Sequence, residues 1–279
     1  MKPEFPILDN HMHLDPKGFG VEAAKRFQKA GGTHFILVHK PYNHLPRTDF
    51  KRQFQTTLTL AEKVRTETDL TVFTALSPHP AELTTFMKKR SLGKAKKMIK
   101  EGIDLAASYI SQGIVLCFGE AGRPHYPVDG AVWEAANDLI AYTMERAKDL
   151  DCAVQFHTEG GEASFRDIAG IAQEVDIRLE RCVKHFSGPS VLEEENYGLF
   201  PSIVARQNSI KKALAKGTRF LLETDYIDDK SRPNVVLPCT AVPDQTLKFV
   251  EDGLISVEDA FLIHQEHPER IYKVEIERL

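Results

Sequence analysis

Eight short apolar runs, rich in β-branched and aromatic residues, alternate along the 279 residues with longer stretches of helical periodicity. The runs predict strands at Phe5–His13, Thr33–His39, Leu70–Ser77, Gly113–Glu120, Cys152–His157, Arg178–His185, Gly198–Ala205 and Thr218–Asp225. Several, such as Phe35-Ile36-Leu37-Val38 and Ile114-Val115-Leu116-Cys117-Phe118, are apolar throughout. Strands covered on both faces by helices read that way, as in parallel sheets. Helices are expected over Val21–Ala30, Phe50–Arg65, Ala81–Gln112 with a break near Gly93, Gly130–Leu150, Glu162–Val175, Asn208–Lys216 and Pro243–His264. Only the segment Phe186–Tyr197 is too short for a long helix and allows a turn or two around Val191–Asn196. Eight strands with intervening helices point to a (β/α)8 barrel, a TIM barrel in one domain, with an open doubly wound sheet as the second choice.

Composition narrows the function classes. A net charge of −4 excludes a globally basic nucleic-acid coat. No apolar run reaches the roughly 18 residues of a membrane helix, and the stretch from Met1 to Pro6 lacks the apolar core of a signal peptide, so a cytoplasmic protein is expected. Four cysteines form no C-x-x-C pair; Cys117, Cys152 and Cys182 lie in apolar runs and read as buried free thiols.

Chemistry-bearing residues collect at the ends of the strands. The first ends in Asp9-Asn10-His11-Met12-His13, and residues two apart on a strand share a face, so His11 and His13 project together. The fourth ends in Phe118-Gly119-Glu120-Ala121-Gly122, the fifth at His157, the sixth in Lys184-His185-Phe186-Ser187-Gly188 and the eighth in Glu223-Thr224-Asp225. Singly, each has a structural explanation: a cap, a hydrogen-bonded core histidine, a turn former. In a parallel barrel, however, all strand C-termini meet at one mouth. Four imidazoles and two carboxylates crowded there without a counter-ion would leave desolvated groups costing about 1–3 kcal/mol each. Divalent cations resolve that cost. The donor set suits zinc, manganese, cobalt or iron, and magnesium less. Six donors exceed the needs of one tetrahedral ion, which favours two ions sharing Glu120.

The ordered set H-x-H, G-E-x-G, H, H-F-S-G and E-T-D spans the chain and resembles the TatD family of metal-dependent hydrolases, among the amidohydrolase-like barrels. The resemblance implies His11, His13, Glu120 and Asp225 around a first metal and Glu120, His157 and His185 around a second. It also implies nuclease activity on DNA. Other positions depart from the family pattern. Arg123-Pro124 stands where Leu-Asp is usual, Glu159 where H-x-R has its arginine, and Tyr226 where a small residue follows E-T-D; of G-x-H-P-H only His79 keeps its histidine. Metal-dependent hydrolysis is therefore better supported than DNA as substrate.

The expected chemistry is attack by a water whose pKa a metal lowers to roughly 7. Asp225 is the candidate to orient that water and take its proton, and His79 to contact a phosphate or leaving group, unless it is a plain loop histidine. Glu159 and Glu162 are either acid groups or solvent-facing, and His39, His44 and His125 are equally ambiguous. Lys88, Lys89, Arg90, Lys94, Lys96, Lys97 and Lys100 put seven cations in thirteen positions, either a guide for a phosphate backbone or the solvated face of an outer helix. Three functions compete: a two-metal phosphodiesterase or nuclease, amide, lactone or deamination chemistry on a small molecule, and a silent metal-binding scaffold.

Overall fold

The computed structural model describes residues 4–277, so Met1–Pro3 of the N-terminal stretch lie outside the described residues. Its strands are β1 (Leu8–His13), β2 (His34–Val38), β3 (Thr71–Ala75), β4 (Phe118–Gly122), β5 (Val154–His157), β6 (Cys182–Lys184), β7 (Phe200–Val204), β8 (Leu221–Glu223) and the two-residue β9 (Tyr226–Ile227). All pair in parallel, in two arcs ordered β3-β2-β1-β9 and β4-β5-β6-β7-β8. The arcs meet at both edges. On one side Ala75 bridges Cys117, with Leu116 N–H donating to the Thr74 carbonyl at 2.9 Å. On the other, β9 pairs with β1 and Asp225 N–H donates to the His11 carbonyl at 3.0 Å. The expected (β/α)8 barrel is the fold.

The helices α1 (Val21–Lys29), α2 (Phe50–Glu67), α3 (Ala81–Met87), α4 (Leu92–Ser111), α5 (Gly130–Asp149), α6 (Glu162–Val175), α7 (Glu193–Asn196), α8 (Gln207–Leu214), α9 (Ala241–Glu251), α10 (Val257–Phe261) and α11 (His267–Tyr272) lie along the chain between and after the strands. An apolar cluster inside the ring takes Ile36, Ala75, Val183, Phe200 and Leu221 from strands, with Cys117 and Ala153 from just before β4 and β5. Ile271 and Tyr272 of α11 join it beside the strand N-termini, so the last helix plugs the floor. Tyr272 is buried, and its hydroxyl donates to Asn10 Oδ1 at 2.7 Å, a polar tie between floor and β1. Among the described residues no helix is long and apolar enough to cross a membrane.

Several boundaries differ from expectation, each for a local reason. The fourth strand starts at Phe118, not Gly113: Gly113 has φ +70°, and Ile114 is 46% exposed below the barrel. The sixth shrinks to Cys182–Lys184 because Leu179–Arg181 winds into a 3₁₀ turn. The helix break falls at residues 88–91 rather than at Gly93, because Ser91 takes extended backbone and its hydroxyl caps Lys94 N–H. The last helical region divides at Gly253 (φ +68°), restarts on the Ser256 cap, and runs through a π-turn at Leu262–Glu266 into α11.

Candidate metal centre

β1 delivers the first two imidazoles as a pair: His11 and His13 are both buried, with Nε2 atoms 3.2 Å apart. What lies behind each ring decides its chemistry, since the partner of the back nitrogen fixes which nitrogen carries the proton. His13 Nδ1 is 2.8 Å from the Val38 carbonyl oxygen, a pure acceptor. His11 Nδ1 is 2.8 Å from Gln155 Oε1, whose identity as oxygen is set by Gln155 Nε2 donating to Asn10 O and Tyr272 Oη. His185 Nδ1 is 3.0 Å from Glu223 Oε1, which also accepts Phe186 N–H at 2.7 Å, while Glu223 Oε2 accepts the Ser202 hydroxyl. Each Nδ1 therefore holds a hydrogen, which in the neutral ring leaves Nε2 as a lone pair turned inward. Burial drives His11 well below the usual imidazole range and His185 to about 3, so both stay neutral. Burial also pushes the Glu223 carboxyl up to about 7.

Glu120 stands at the centre. Its Oε1 is 3.1 Å from His157 Nδ1 and 3.8 Å from both His11 Nε2 and His79 Nε2; its Oε2 is 3.8 Å from His13 Nε2. Burial alone would raise this carboxyl, but the surrounding imidazoles, His79 and His13 foremost, hold it well below the usual range. The same carboxylate and Asp225 raise His13 against its own burial. Asp225 Oδ1 reaches His13 Nε2 at 3.6 Å, and His157 Nδ1 is 3.2 Å from His185 Nε2. All six residues read from the strand ends thus converge at one mouth.

The local backbone is bent to achieve this. Glu120, Phe186 and Asp225 have φ of 55°, 53° and 47°, a left-handed conformation uncommon for residues with side chains and concentrated at functional sites. Gly119 and Gly122 flank Glu120 because nothing larger fits: a Cβ on Gly122 would lie 1.9 Å from the His157 carbonyl oxygen, and one on Gly119 2.6 Å from Ala75 Cβ.

His79 plays a different part. Its Nδ1 accepts Ala81 N–H at 3.1 Å, so the neutral ring carries its hydrogen on Nε2, aimed at Glu120. Burial lowers it to about 4, which keeps it a neutral donor rather than a lone-pair ligand.

Two departures from the family pattern explain one another. Arg123 is fully buried and grips the Glu159 carboxylate with two donors, Nε at 2.9 Å and Nη2, with Asn137 Oδ1 and Asp167 Oδ2 taking further bonds. Glu159 is consumed by that pair, contrary to both expectations of it as a free acid or a solvent-facing group. Glu162 is exposed and accepts the Tyr197 hydroxyl at 2.5 Å. His39 is a core histidine tied to Thr57 and edge-on to Phe54, and His44 is exposed in a loop. Tyr226 is buried, its hydroxyl donating to Asp228. The basic cluster lies largely on exposed positions of the α3–α4 turn and α4, where Lys96 pairs with Asp138 and Lys100 covers the Tyr142 ring. Gln155, Glu223 and Arg123 shape the site without being among the expected ligands; Gln155 and Glu223 are polar residues inside runs otherwise built to be buried, and Arg123 stands where the family pattern has an apolar residue.

The donor set fits divalent cations. The inward Nε2 atoms of His11 and His13 face each other at 3.2 Å, and buried Glu120 Oε2 has no hydrogen-bond partner. Imidazole nitrogens crowded around an orphaned buried carboxylate oxygen make a place for a positive charge. Among the described residues three groupings could hold an ion: His11, His13 and Asp225; His11, Glu120 and His185; and His79, Glu120 and His157. The back-side hydrogen bond of His79 argues against its place in the third.

A parallel barrel with imidazoles and carboxylates at its mouth defines the metallo-hydrolase class of TIM barrels. The family described as TatD related DNase matches residues 8–273, and the chain belongs to that family, whose members are divalent-metal-dependent hydrolases. An uncharacterized protein of Methanocaldococcus jannaschii is 40% identical over 98% of this chain and 97% of its own. Among solved structures, the TatD-like protein of Archaeoglobus fulgidus superposes with a TM-score of 0.64 at 16% identity, over 96% of this chain and 100% of the other. The phosphotriesterase homology protein of Escherichia coli, complexed with phosphate in its active site, gives 0.65 at 12% identity over 97% and 99%. The organophosphorus hydrolase of Deinococcus radiodurans gives 0.68 at 14% over 96% and 93%. These three likenesses establish the shared fold.

Proposed function

We propose that this chain is a phosphoester hydrolase, a phosphodiesterase or nuclease acting on a small-molecule or nucleic-acid phosphodiester, with two divalent ions, zinc by preference, sharing Glu120. His11, His13, Glu120 and Asp225 would hold the first ion; Glu120, His157 and His185 the second. The observation that carries this is the position of Glu120, with one oxygen toward the His157 side and the other toward His13. Ions held there would supply Lewis acidity toward a phosphoryl oxygen and a water acidic enough to attack at neutral pH.

The protein's own groups do the rest. Asp225, 12% exposed at its side chain, lies at the mouth with Oδ1 toward His13, placed to orient the attacking water and accept its proton. His79 aims its Nε2–H into the same space, a neutral donor for a non-bridging phosphate oxygen or the leaving group. Gln155, Val38 O and Glu223 keep the imidazoles turned. The four cysteines are buried free thiols, which supports a reducing compartment, the cytoplasm.

The test is turnover of a generic phosphodiester, such as bis(p-nitrophenyl) phosphate, beside a lactone and an amide panel. Phosphodiester turnover that chelator abolishes and zinc or manganese restores is the expected result. Lactone or amide turnover alone moves the protein to the small-molecule reading, and metal uptake without turnover to a silent scaffold.

A further inference from the structure

Three of the four imidazoles expected as metal ligands share one construction. His11, His13 and His185 each present Nε2 to the centre and tie Nδ1 to an acceptor: an amide oxygen, a carbonyl and a carboxylate. His157 is turned the other way. Its Nδ1 faces Glu120 Oε1 at 3.1 Å and His185 Nε2 at 3.2 Å, and its Nε2 points outward to Nδ1 of His125 at 2.8 Å. Its back partner is thus another imidazole, exposed on the β4–α5 loop, where the other three have buried partners.

That loop is held from both sides of His125. Arg123 donates its backbone N–H to the His157 carbonyl at 3.1 Å and buries its guanidinium against Glu159, Asn137 and the Trp133 ring. Tyr126 exchanges a hydroxyl hydrogen bond of 2.6 Å with Thr84 of α3. An exposed histidine clamped between two such anchors is presented to His157 rather than free to swing.

We infer that His125 is a positioning residue for the second metal: when the ion binds, it accepts the His157 Nε2–H at its own Nδ1, which frees His157 Nδ1, otherwise a donor to Glu120, to face the ion. The reasoning is that of the other three rings, since a metal-binding imidazole needs an acceptor behind it to keep its proton off the binding nitrogen. The Arg123–Glu159 pair, which this chain has in place of the family's residues, then serves to carry the loop that brings His125 into place. The inference rests on the two-ion reading above.

Zinc titration of the metal-free protein by calorimetry, with bound zinc counted after dialysis, tests it. Wild type should take up two equivalents. His125→Leu, a change at an exposed position, should weaken one of them by roughly 10–100-fold and leave the other unchanged. His125→Asn, whose side-chain oxygen can accept the same hydrogen, should recover part of the loss. In zinc-loaded wild type, nitrogen NMR should find the His157 proton on Nε2, and in His125→Leu that resonance should broaden or shift. Two zincs bound with unaltered affinities in His125→Leu, or a His157 proton on Nδ1, overturn this inference alone. One zinc or none in wild type overturns the two-ion reading and this inference with it.

Discussion

The two halves of the mouth are built differently. In the inner half His11, His13 and His185 lean on buried partners: Gln155, the Val38 carbonyl and Glu223, the last fixed in turn by Ser202 and Phe186 N–H. The outer half, His79 and His157, is partly exposed and leans on the first residue of α3, through Ala81 N–H, and on a loop, through His125. The inner half has its orientation written into the barrel, so altering it should cost stability as well as metal. The outer half is adjustable at little cost to the fold.

The largest expected effect joins both halves. Glu120→Gln should reduce bound metal from two equivalents toward one or none and abolish phosphodiester turnover; full retention of two equivalents removes Glu120 as the shared ligand. Asp225→Asn should keep much of the metal and slow turnover by roughly 10²-fold or more, in line with loss of a general base; activity near wild type excludes that role. Gln155→Leu separates the halves. It leaves buried His11 Nδ1 without a partner, so it should cost about 1–3 kcal/mol by denaturant unfolding besides weakening metal binding. His125→Leu should change metal binding with stability nearly unaltered, and equal stability losses in the two variants would erase the distinction.

Away from the mouth, His264 gives a pH dependence of known sign. It is buried between Leu8 and Thr246, and burial lowers it to about 4. Between pH 6.5 and 4 the unfolded chain therefore binds a proton that the native chain refuses, so stability falls as pH falls through that window. At pH 5 the contribution is about 2 kcal/mol, and His264→Gln should lose that much less than wild type between pH 7 and pH 5. The smallest effect should come from Lys88, Lys94 and Lys97 changed together to Gln. Phosphodiester turnover and its salt dependence should stay at wild-type values; a flattened salt dependence would give the cluster a substrate-guiding role.

The barrel was legible because parallel strands covered on both faces leave apolar runs that nothing else explains, and the six convergent residues because polar groups ended those runs. Strand four was misplaced because Ile114–Cys117 is as apolar as a strand, although its neighbour Gly113 turns the chain below the barrel. Glu159 was misread for a different reason. Its partner Arg123 lies 36 positions away, and pairing between loops has no periodicity to betray it. The orientation of His157 was invisible for the same reason: it depends on a single contact with a loop residue that, as sequence, is one more histidine beside a proline.

The measurement that bears most directly on the shared carboxylate is an anomalous difference map from crystals grown with zinc. Two peaks about 3.5–4 Å apart, one on each side of the Glu120 carboxylate, are what the account predicts. A single peak, or peaks remote from Glu120, would contradict it.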